Sequence, residues 1–147
     1  MKPRIIFTTF WEADKLLSIL PPNELYSVNS VALGIPCTAK FPKLKDITRL
    51  KFFCPTWDIL NKYKEDNDWD DYTKSFTALM DTRKDEVAAW FDSLSDDYRY
   101  FLCCWENTSK GAHCHRQLLY ESMKKDLAIS EKYHIMYRHG NKSNEST

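Results

Sequence analysis

The residues of this chain that are best suited to chemistry are three consecutive ones, Cys114, His115 and Arg116. A thiol beside basic side chains has a lowered pKa, and the resulting thiolate is a nucleophile and a redox-sensitive group. An imidazole can orient that thiolate or exchange a proton with it near neutral pH. A guanidinium can hold a phosphate or a carboxylate. Together these residue types predict an active or ligand-binding site in which Cys114 is the nucleophile, His115 assists it and Arg116 binds an anion.

The elements around this triplet place it at the beginning of a helix. Residues 100–105 are all apolar, aromatic or Cys, which predicts a strand buried on both faces. Residues 106–112 are mostly polar, as expected of a loop, and Leu118, Leu119 and Met123 then recur at helical spacing. The first N–H groups of a helix have no internal partner and the helix dipole is positive there, so this position favours anions and thiolates.

Further candidate residues follow the predicted strands at the same edge of the sheet. In open α/β sheets, ligands bind outside the carboxyl ends of the strands. Glu106 follows the buried strand directly and is a candidate general acid–base group. We expect the ligand to be an anionic small molecule such as a nucleotide. Its predicted contacts are Arg116 and four strand-end residues, Thr8, Thr9, Ser30 and Trp105.

Each residue of the predicted centre also has an ordinary structural interpretation. Cys114 can be a small buried residue that packs the strand–helix junction, because Cys is among the most buried residue types. His115 shares a helix face with Leu119, which favours a hydrogen-bonded core histidine. Arg116 can form a surface salt bridge or bond to carbonyl groups of the preceding loop, and Glu106 can be a solvated loop residue. The sequence leaves both interpretations open.

Soft metal ligands are concentrated in the same stretch, where Cys103 or Cys104, His113, Cys114 and His115 lie close in sequence. The chain lacks a Cys-x-x-Cys pair, however, and adjacent residues rarely point at one ion. We therefore predict no metal ligand, although zinc binding by this cluster stays open. The chain has three glycines and no Gly-rich phosphate loop, which argues against a Walker or dinucleotide fingerprint. No cofactor is predicted.

A second candidate surface is the basic segment from Lys40 to Phe53. It contains five cations and one anion, Asp46, with Phe41 and Phe52 interleaved. Such a segment can bind a phosphate backbone and stack on bases. The alternative function is therefore a non-catalytic nucleic-acid- or protein-binding module in which the Cys-His-Arg triplet is structural. The segment can also be a solvated face with its aromatic residues turned inward, or a positive rim around the ligand site. The cations are Lys40, Lys43, Lys45, Arg49 and Lys51.

The chain as a whole predicts one small α/β domain. Helical patterns lie between predicted strands, and this alternation predicts a small Rossmann-like three-layer fold with a mainly parallel sheet. The domain is expected over residues 1–138 and a flexible polar tail over residues 139–147. The predicted strands are residues 4–10, 25–32, 100–105 and 133–137.

Composition bears on where the protein acts and what it binds. Net charge is zero, so there is no bulk attraction to nucleic acid or to an anionic membrane. No stretch approaches the length of a transmembrane helix, and residues 1–10 lack the long apolar run of a signal peptide. We therefore expect a cytoplasmic protein. The five cysteines are an odd number, and in a reducing compartment we expect free thiols and no disulfide framework.

The residues around the triplet resemble those of a known family. The sequence LCCWE at 102–106, followed by a loop and CHR at 114–116, resembles the LCYE…CHR signature of the DUF488 family, a bacterial and viral domain of unknown function. The segments PTWDILNKYK at 55–64 and DWDDYTKSF at 68–76 are similar to the family's PSWELL…YK and W…Y…F segments. The early TTF, and SVA followed by GIP, also fit, so the resemblance covers about residues 4–127.

This resemblance implies a Rossmann-like fold but no established activity. Two positions depart from the family pattern. Trp105 stands where members usually carry Tyr or another aromatic residue, and Leu33 stands where several carry a basic or polar residue. If that residue touches a ligand in the family, the contact is absent here. The positions that the resemblance marks as the site are Cys104, Glu106, Cys114, His115 and Arg116.

Overall fold

Strands of this protein form one parallel sheet. The computed structural model describes residues 2–34, 36, 40–106, 108 and 111–139, and these residues form five strands and six α-helices. The predicted Rossmann-like α/β fold is thereby confirmed, and every strand pair in the described residues is parallel. The strands lie in the spatial order β3-β2-β4-β1-β5 and are β1 (Arg4–Thr9), β2 (Leu25–Ser30), β3 (Thr48–Arg49), β4 (Tyr98–Cys104) and β5 (His134–Tyr137).

Four of the six helices in the described residues begin where a short polar side chain accepts a hydrogen bond from a free N–H group of the first turn. The Thr9 hydroxyl accepts a hydrogen bond from the Glu12 N–H at 3.1 Å, and Asp68 accepts one from the Asp71 N–H at 3.1 Å. The helices are α1 (Phe10–Leu17), α2 (Trp57–Asp66), α3 (Trp69–Asp81), α4 (Lys84–Asp92), α5 (His115–Lys125) and α6 (Leu127–Lys132), with a short 3-10 helix at Lys51–Phe53.

The two central strands, β1 and β4, create the place where a ligand site is expected. From β1 the chain continues to β2, which lies toward one edge of the sheet. From β4 it continues to β5, which lies at the opposite edge. Because parallel crossovers are right-handed, α1 covers one face and α5 with α6 covers the other, which makes three layers. A crevice opens outside the carboxyl ends of two strands whose connections diverge in this way.

Strand β4 is the buried strand that the apolar run predicts. Its residues Phe101, Leu102 and Cys103 have at most 1% of their surface exposed, as expected of a strand covered on both faces. The strand ends at Cys104, one residue earlier than predicted, and Trp105 lies beyond it with 41% of its surface exposed. The carboxyl end of β4 therefore points one aromatic side chain toward solvent.

Several boundaries differ from the prediction for local reasons. Strand β1 ends before Phe10, because Thr9 already caps the first helix. The acidic stretch at residues 65–71 divides two helices: Asn67, with a left-handed φ of 54°, ends α2, and Asp68 caps α3. Strand β3 and helix α6 were not predicted, since two and six residues are too short to show a period.

The described residues also bear on the tail and the cysteines. His139 accepts hydrogen bonds at its carbonyl from the Arg116 side chain and the Thr108 N–H, while residues 140–147 lie outside the described residues.

Cys54, Cys103, Cys104 and Cys114 are buried free thiols, and Cys37 is not among the described residues. In the described part of the chain, every helix is too short or too polar to cross a bilayer.

Candidate active or ligand-binding site

The Cys-His-Arg triplet lies where the sequence analysis expects it, at the first residues of α5. Cys114 caps the helix with an extended backbone, and its N–H donates a hydrogen bond to Gln117 Oε1 at 2.8 Å. The end of β4 brings Cys104 to the same place, and Thr9 of β1 lies beside Cys104 in the sheet register. The cluster thus occupies the crevice between the carboxyl ends of β1 and β4.

Cys114 and His115 form a thiol–imidazole pair with a defined orientation. The Cys114 Sγ lies 3.7 Å from His115 Nδ1, and His115 Nε2 lies 2.7 Å from the carbonyl oxygen of Val31. A carbonyl can only accept, so Nε2 carries a hydrogen in either protonation state of the ring. Nδ1 therefore accepts the thiol proton of Cys114 or, once protonated, donates to the thiolate. This is the geometry of a nucleophile and its base.

A second thiol, Cys104, completes the electrostatics of this pair. Burial alone raises the pKa of Cys114, but a hydrogen bond from Cys104 and the positive charges of His115 and Arg116 outweigh it and hold that pKa well below its ordinary value. The Cys104 pKa moves the opposite way, raised by its bond to Cys114 and by burial. The opposite directions of the two shifts favour Cys114 over Cys104 as the thiol that ionises.

Arg116 is a fully buried cation, with none of its surface exposed. Its Nη2 donates to the His139 carbonyl oxygen at 2.9 Å, and the guanidinium carbon lies 5.3 Å from the centre of the Tyr137 ring. Among the described residues, Nε and Nη1 are buried without a hydrogen-bond partner of good geometry, and the Cys114 sulfur is the nearby group that interacts with the guanidinium. The carbonyl that Arg116 binds belongs to His139, after β5, and not to the preceding loop as one interpretation expected, while the ligand role of Arg116 stays a prediction.

Glu106 lies at the solvent side of the two sulfurs. The residue is exposed, yet its Oε1 is only 3.4 Å from the Cys104 Sγ. Desolvation of the carboxylate and the nearby Cys114 thiolate raise the pKa of Glu106. A carboxyl group with a raised pKa can supply or take up a proton closer to neutral pH. Glu106 is thus placed to act on a group bound at Cys114.

An aromatic column from α3 covers the cluster, and sequence reasoning missed its relation to the site. Trp69 stacks on His113 at 4.4 Å and on Tyr72 at 5.0 Å between ring centres, while Phe76 packs edge-on against His115 at 5.3 Å. Tyr72 is buried, and burial with the charges of the two cysteines raises its pKa. The sequence signal for this column was the helical spacing of Trp69, Tyr72 and Phe76 in α3. That spacing places the three side chains in the core, but it does not show that they contact His113 and His115.

The predicted strand-end contacts have different surroundings. The Thr9 hydroxyl caps α1, and the Ser30 hydroxyl donates to the Gly34 carbonyl oxygen at 2.6 Å. Both hydroxyl groups are therefore already hydrogen-bonded to backbone groups. Thr8 is completely buried, and its hydroxyl has no hydrogen-bond partner in the described residues. Trp105 packs on Phe10 at 4.7 Å between ring centres and keeps an exposed surface. Their role as ligand contacts stays a prediction.

The basic segment is a solvated face whose main aromatic residues turn inward. Phe41 and Phe53 are buried, which removes them as surfaces for stacking on bases. Phe41 lies 6.1 Å from Trp105 and 4.7 Å from Trp11 between ring centres, so the start of the segment lies at the carboxyl edge of the sheet. All five cations of the segment are exposed, namely Lys40, Lys43, Lys45, Arg49 and Lys51.

The fold and this site define a parallel α/β protein with a Cys-His-Arg centre at the carboxyl edge of its sheet. A family model described as the active DUF488-N3 subclade matches residues 34–127, which is more than half of the chain. The protein therefore belongs to the DUF488 family. The matched region includes Cys104, Glu106 and the triplet, but not Thr8, Thr9 or Ser30. Neither the search of curated proteins nor the search of solved structures found a match.

Proposed function

We propose that the Cys-His-Arg centre binds or processes an anionic small molecule such as a nucleotide, with Cys114 as the nucleophile. One observation carries this proposal: a fully buried guanidinium, with two nitrogens available, lies beside an oriented thiol–imidazole pair. Buried arginines rarely have unused donors, because each unpaired buried donor costs free energy of folding. An anionic group bound at Arg116 would use these donors.

The chemistry would follow from the proton positions. His115 Nδ1 takes the thiol proton, and the Cys114 sulfur forms a bond to an electrophilic atom of the substrate as the bond to the leaving group breaks. The proton then passes from Nδ1 or from the Glu106 carboxyl group to the departing group. Arg116 would hold the negative charge of the substrate throughout.

Access to the sulfur depends on Glu106. Cys114 has 3% of its surface exposed, and Glu106 is the exposed side chain whose carboxylate lies against the sulfurs. Movement of this one side chain would admit a ligand from the solvent side. The exposed surface of Trp105 and the cations at the start of the basic segment then offer a stacking surface and a positive rim at the same edge. A nucleotide has both a base and a phosphate, which is why we favour that class.

Alkylation kinetics of the metal-free protein test this proposal directly. The rate at each cysteine is measured against pH by peptide mass spectrometry, with neutral iodoacetamide and with anionic iodoacetate. We expect Cys114 to react well below the ordinary thiol pKa of about 8.5, and to favour iodoacetate more than the cysteines of the unfolded chain do. Arg116→Gln should remove that preference. A Cys114 that reacts only after unfolding would overturn the nucleophile.

The exposed cations of the basic segment support a second candidate, binding of a nucleic-acid backbone or an acidic protein. The test is the affinity for a single-stranded oligonucleotide as a function of salt. If this candidate is right, the triple variant Lys43→Glu, Lys45→Glu, Arg49→Glu loses binding, the salt dependence disappears with it, and Cys114→Ser has no effect. Binding that survives charge reversal would exclude this surface.

A further inference from the structure

Two thiols and an imidazole converge in the buried part of the candidate site. The Sγ atoms of Cys104 and Cys114 and a ring nitrogen of His115 all lie within 4.8 Å of one another. The atoms of a tetrahedral zinc site lie about 3.5 to 3.8 Å apart, given zinc–sulfur and zinc–nitrogen bonds of about 2.3 and 2.0 Å. The 3.7 Å between Cys114 Sγ and His115 Nδ1 matches that spacing without rearrangement.

The backbone answers the sequence-level objection that adjacent residues rarely point at one ion. Cys114 is extended, with φ −145° and ψ 145°, whereas His115 is the first residue of the helix. This change of backbone direction between the two residues lets their side chains converge. Adjacent ligands within one regular helix or strand would diverge instead.

The hydrogen bond that holds the far side of the His115 ring is also typical of a metal ligand. Metal-bound histidines almost always donate their other ring N–H to a carboxylate, a carbonyl or a water, which fixes the coordinating nitrogen. Here Nε2 is committed to the Val31 carbonyl oxygen at 2.7 Å, and Nδ1 faces the sulfurs. The ring is therefore held in the orientation and tautomer that coordination through Nδ1 requires.

Charge balance favours a divalent ion at this point. The sulfurs of Cys104 and Cys114 and the Glu106 carboxylate are all possible anionic ligands, and they lie in one region of the site. Two thiolates, one carboxylate and a divalent cation sum to one negative charge, which the buried Arg116 neutralises. Glu106 Oε1 lies 3.4 Å from Cys104 Sγ but outside the group of atoms within 4.8 Å of one another, so a change of its side-chain conformation would make it the fourth ligand.

We infer that Cys104, Cys114 and His115, with Glu106, bind a soft divalent cation of the Zn²⁺ class, and that the bound ion regulates the site by occupying the Cys114 sulfur. The regulatory part rests on the proposed function, since it concerns the same nucleophile. Thiolate and imidazole ligands select zinc over magnesium or calcium. Metal binding releases the remaining thiol proton and so becomes tighter as the pH rises.

Cobalt titration of the chelator-stripped full chain tests the metal site. Co²⁺ bound by two thiolates gives sulfur-to-cobalt absorption in the near ultraviolet and visible bands of tetrahedral geometry. We expect both signals to saturate at one equivalent and to disappear on adding Zn²⁺. Cys104→Ser should weaken the affinity by about tenfold or more, whereas Cys54→Ser, which removes a buried thiol elsewhere, should leave it unchanged. Co²⁺ binding without thiolate absorption would overturn the site.

Alkylation separates the failure of this inference from the failure of the proposed function. One equivalent of Zn²⁺ should suppress iodoacetamide reaction at Cys114 by about tenfold or more, and a chelator should restore it. An unchanged rate in the zinc-loaded protein would overturn the regulatory part. A metal-free Cys114 that is inert while Co²⁺ still binds would refute the nucleophile and leave the metal site. A reactive Cys114 in a protein without Co²⁺ absorption would do the reverse.

Discussion

Two buried cysteines of this protein lie near arginines and yet differ in their thiol pKa. Cys54 lies near Arg49 and Arg83, but burial raises its pKa in spite of their charges. Its Sγ donates hydrogen bonds to two carbonyl oxygens, of Ala32 at 3.1 Å and of Leu50 at 3.3 Å. A group that donates to carbonyls needs its proton, so the surroundings of Cys54 stabilise the thiol.

Cys114 has the opposite arrangement of hydrogen bonds. It lies at a helix N-terminus, receives a hydrogen bond from Cys104 and faces His115 Nδ1 at 3.7 Å, and its pKa is held well below the ordinary value. The comparison shows that a nearby positive charge does not by itself create a thiolate. What decides is the balance of burial against these contacts: burial outweighs the charges and the hydrogen bond of the arginines at Cys54, whereas the bond from Cys104 and the charges of His115 and Arg116 outweigh burial at Cys114.

The largest effect we expect comes from removing the arginine beside each cysteine. Arg116→Met should lower the free energy of unfolding by about 3 kcal/mol, because it deletes a fully buried cation and strands a buried anion. Arg83→Met is the matched control. Its Nη1 donates to the Cys54 carbonyl oxygen at 2.6 Å from a half-buried position, so we expect a loss of about 1 kcal/mol. Urea unfolding measures both, and equal losses would break the comparison.

Removing the imidazole should affect only one cysteine. His115→Gln keeps a polar side chain near the Val31 carbonyl but removes the positive charge and base, so the pKa of Cys114 rises. The thiolate fraction of Cys114 near neutral pH should therefore fall, and the alkylation rate should fall with it. His134→Gln, on the exposed start of β5, is the control. An unchanged alkylation rate in His115→Gln would show that Cys104 and Arg116 are sufficient to lower the pKa of Cys114.

The pH dependence of stability should have opposite signs at the two cysteines. The lowered pKa of Cys114 contributes stability that is fully present above its unfolded pKa of about 8.5 and is lost as pH falls through the folded pKa. The raised pKa of Cys54 contributes stability that is present below that value and is lost as pH rises through the folded pKa. The free energy of unfolding of the wild type minus that of Cys114→Ser should therefore increase from pH 6 to 9. The corresponding difference for Cys54→Ser should decline at alkaline pH. Parallel curves would contradict the assignment.

The smallest effect concerns the carboxylate at the mouth of the site. The Cys114 thiolate raises the pKa of Glu106, and by reciprocity the Glu106 charge disfavours the thiolate. Glu106→Gln should therefore speed alkylation of Cys114 at pH 6.5 by about two- to threefold, a value typical of an exposed charge. Glu106→Ala should speed it further if the side chain also blocks access, and Cys54 should not respond to either change. A slower reaction in both variants would mean that Glu106 assists the nucleophile.

Much of the site's position could be predicted because it is encoded locally. The apolar run of β4 and the helical spacing after Cys114 predict a strand, a loop and a helix, and these place the triplet at a helix N-terminus. The helix dipole and the residue types then indicate an anion or thiolate site. The parallel fold follows from alternating strands and helices, as the structure confirms.

The partners of the triplet could not be predicted, because they come from distant parts of the chain. The carbonyl that orients His115 belongs to Val31, 84 residues away, and the neighbour of Arg116 on the other side is the His139 carbonyl. Nor does the sequence show which way the aromatic residues of the basic segment face, whereas the structure buries Phe41 and Phe53 and leaves the cations exposed.

By itself, therefore, the sequence determined which residues are candidates for chemistry and which end of the sheet they occupy, since residue type and local periodicity are properties of short stretches. Only the tertiary structure decided which thiol has the lowered pKa, which ring nitrogen faces it and how deeply Arg116 is buried. The physical reason is that a pKa and a tautomer depend on atoms within a few ångströms, and strand order and crossovers bring those atoms together.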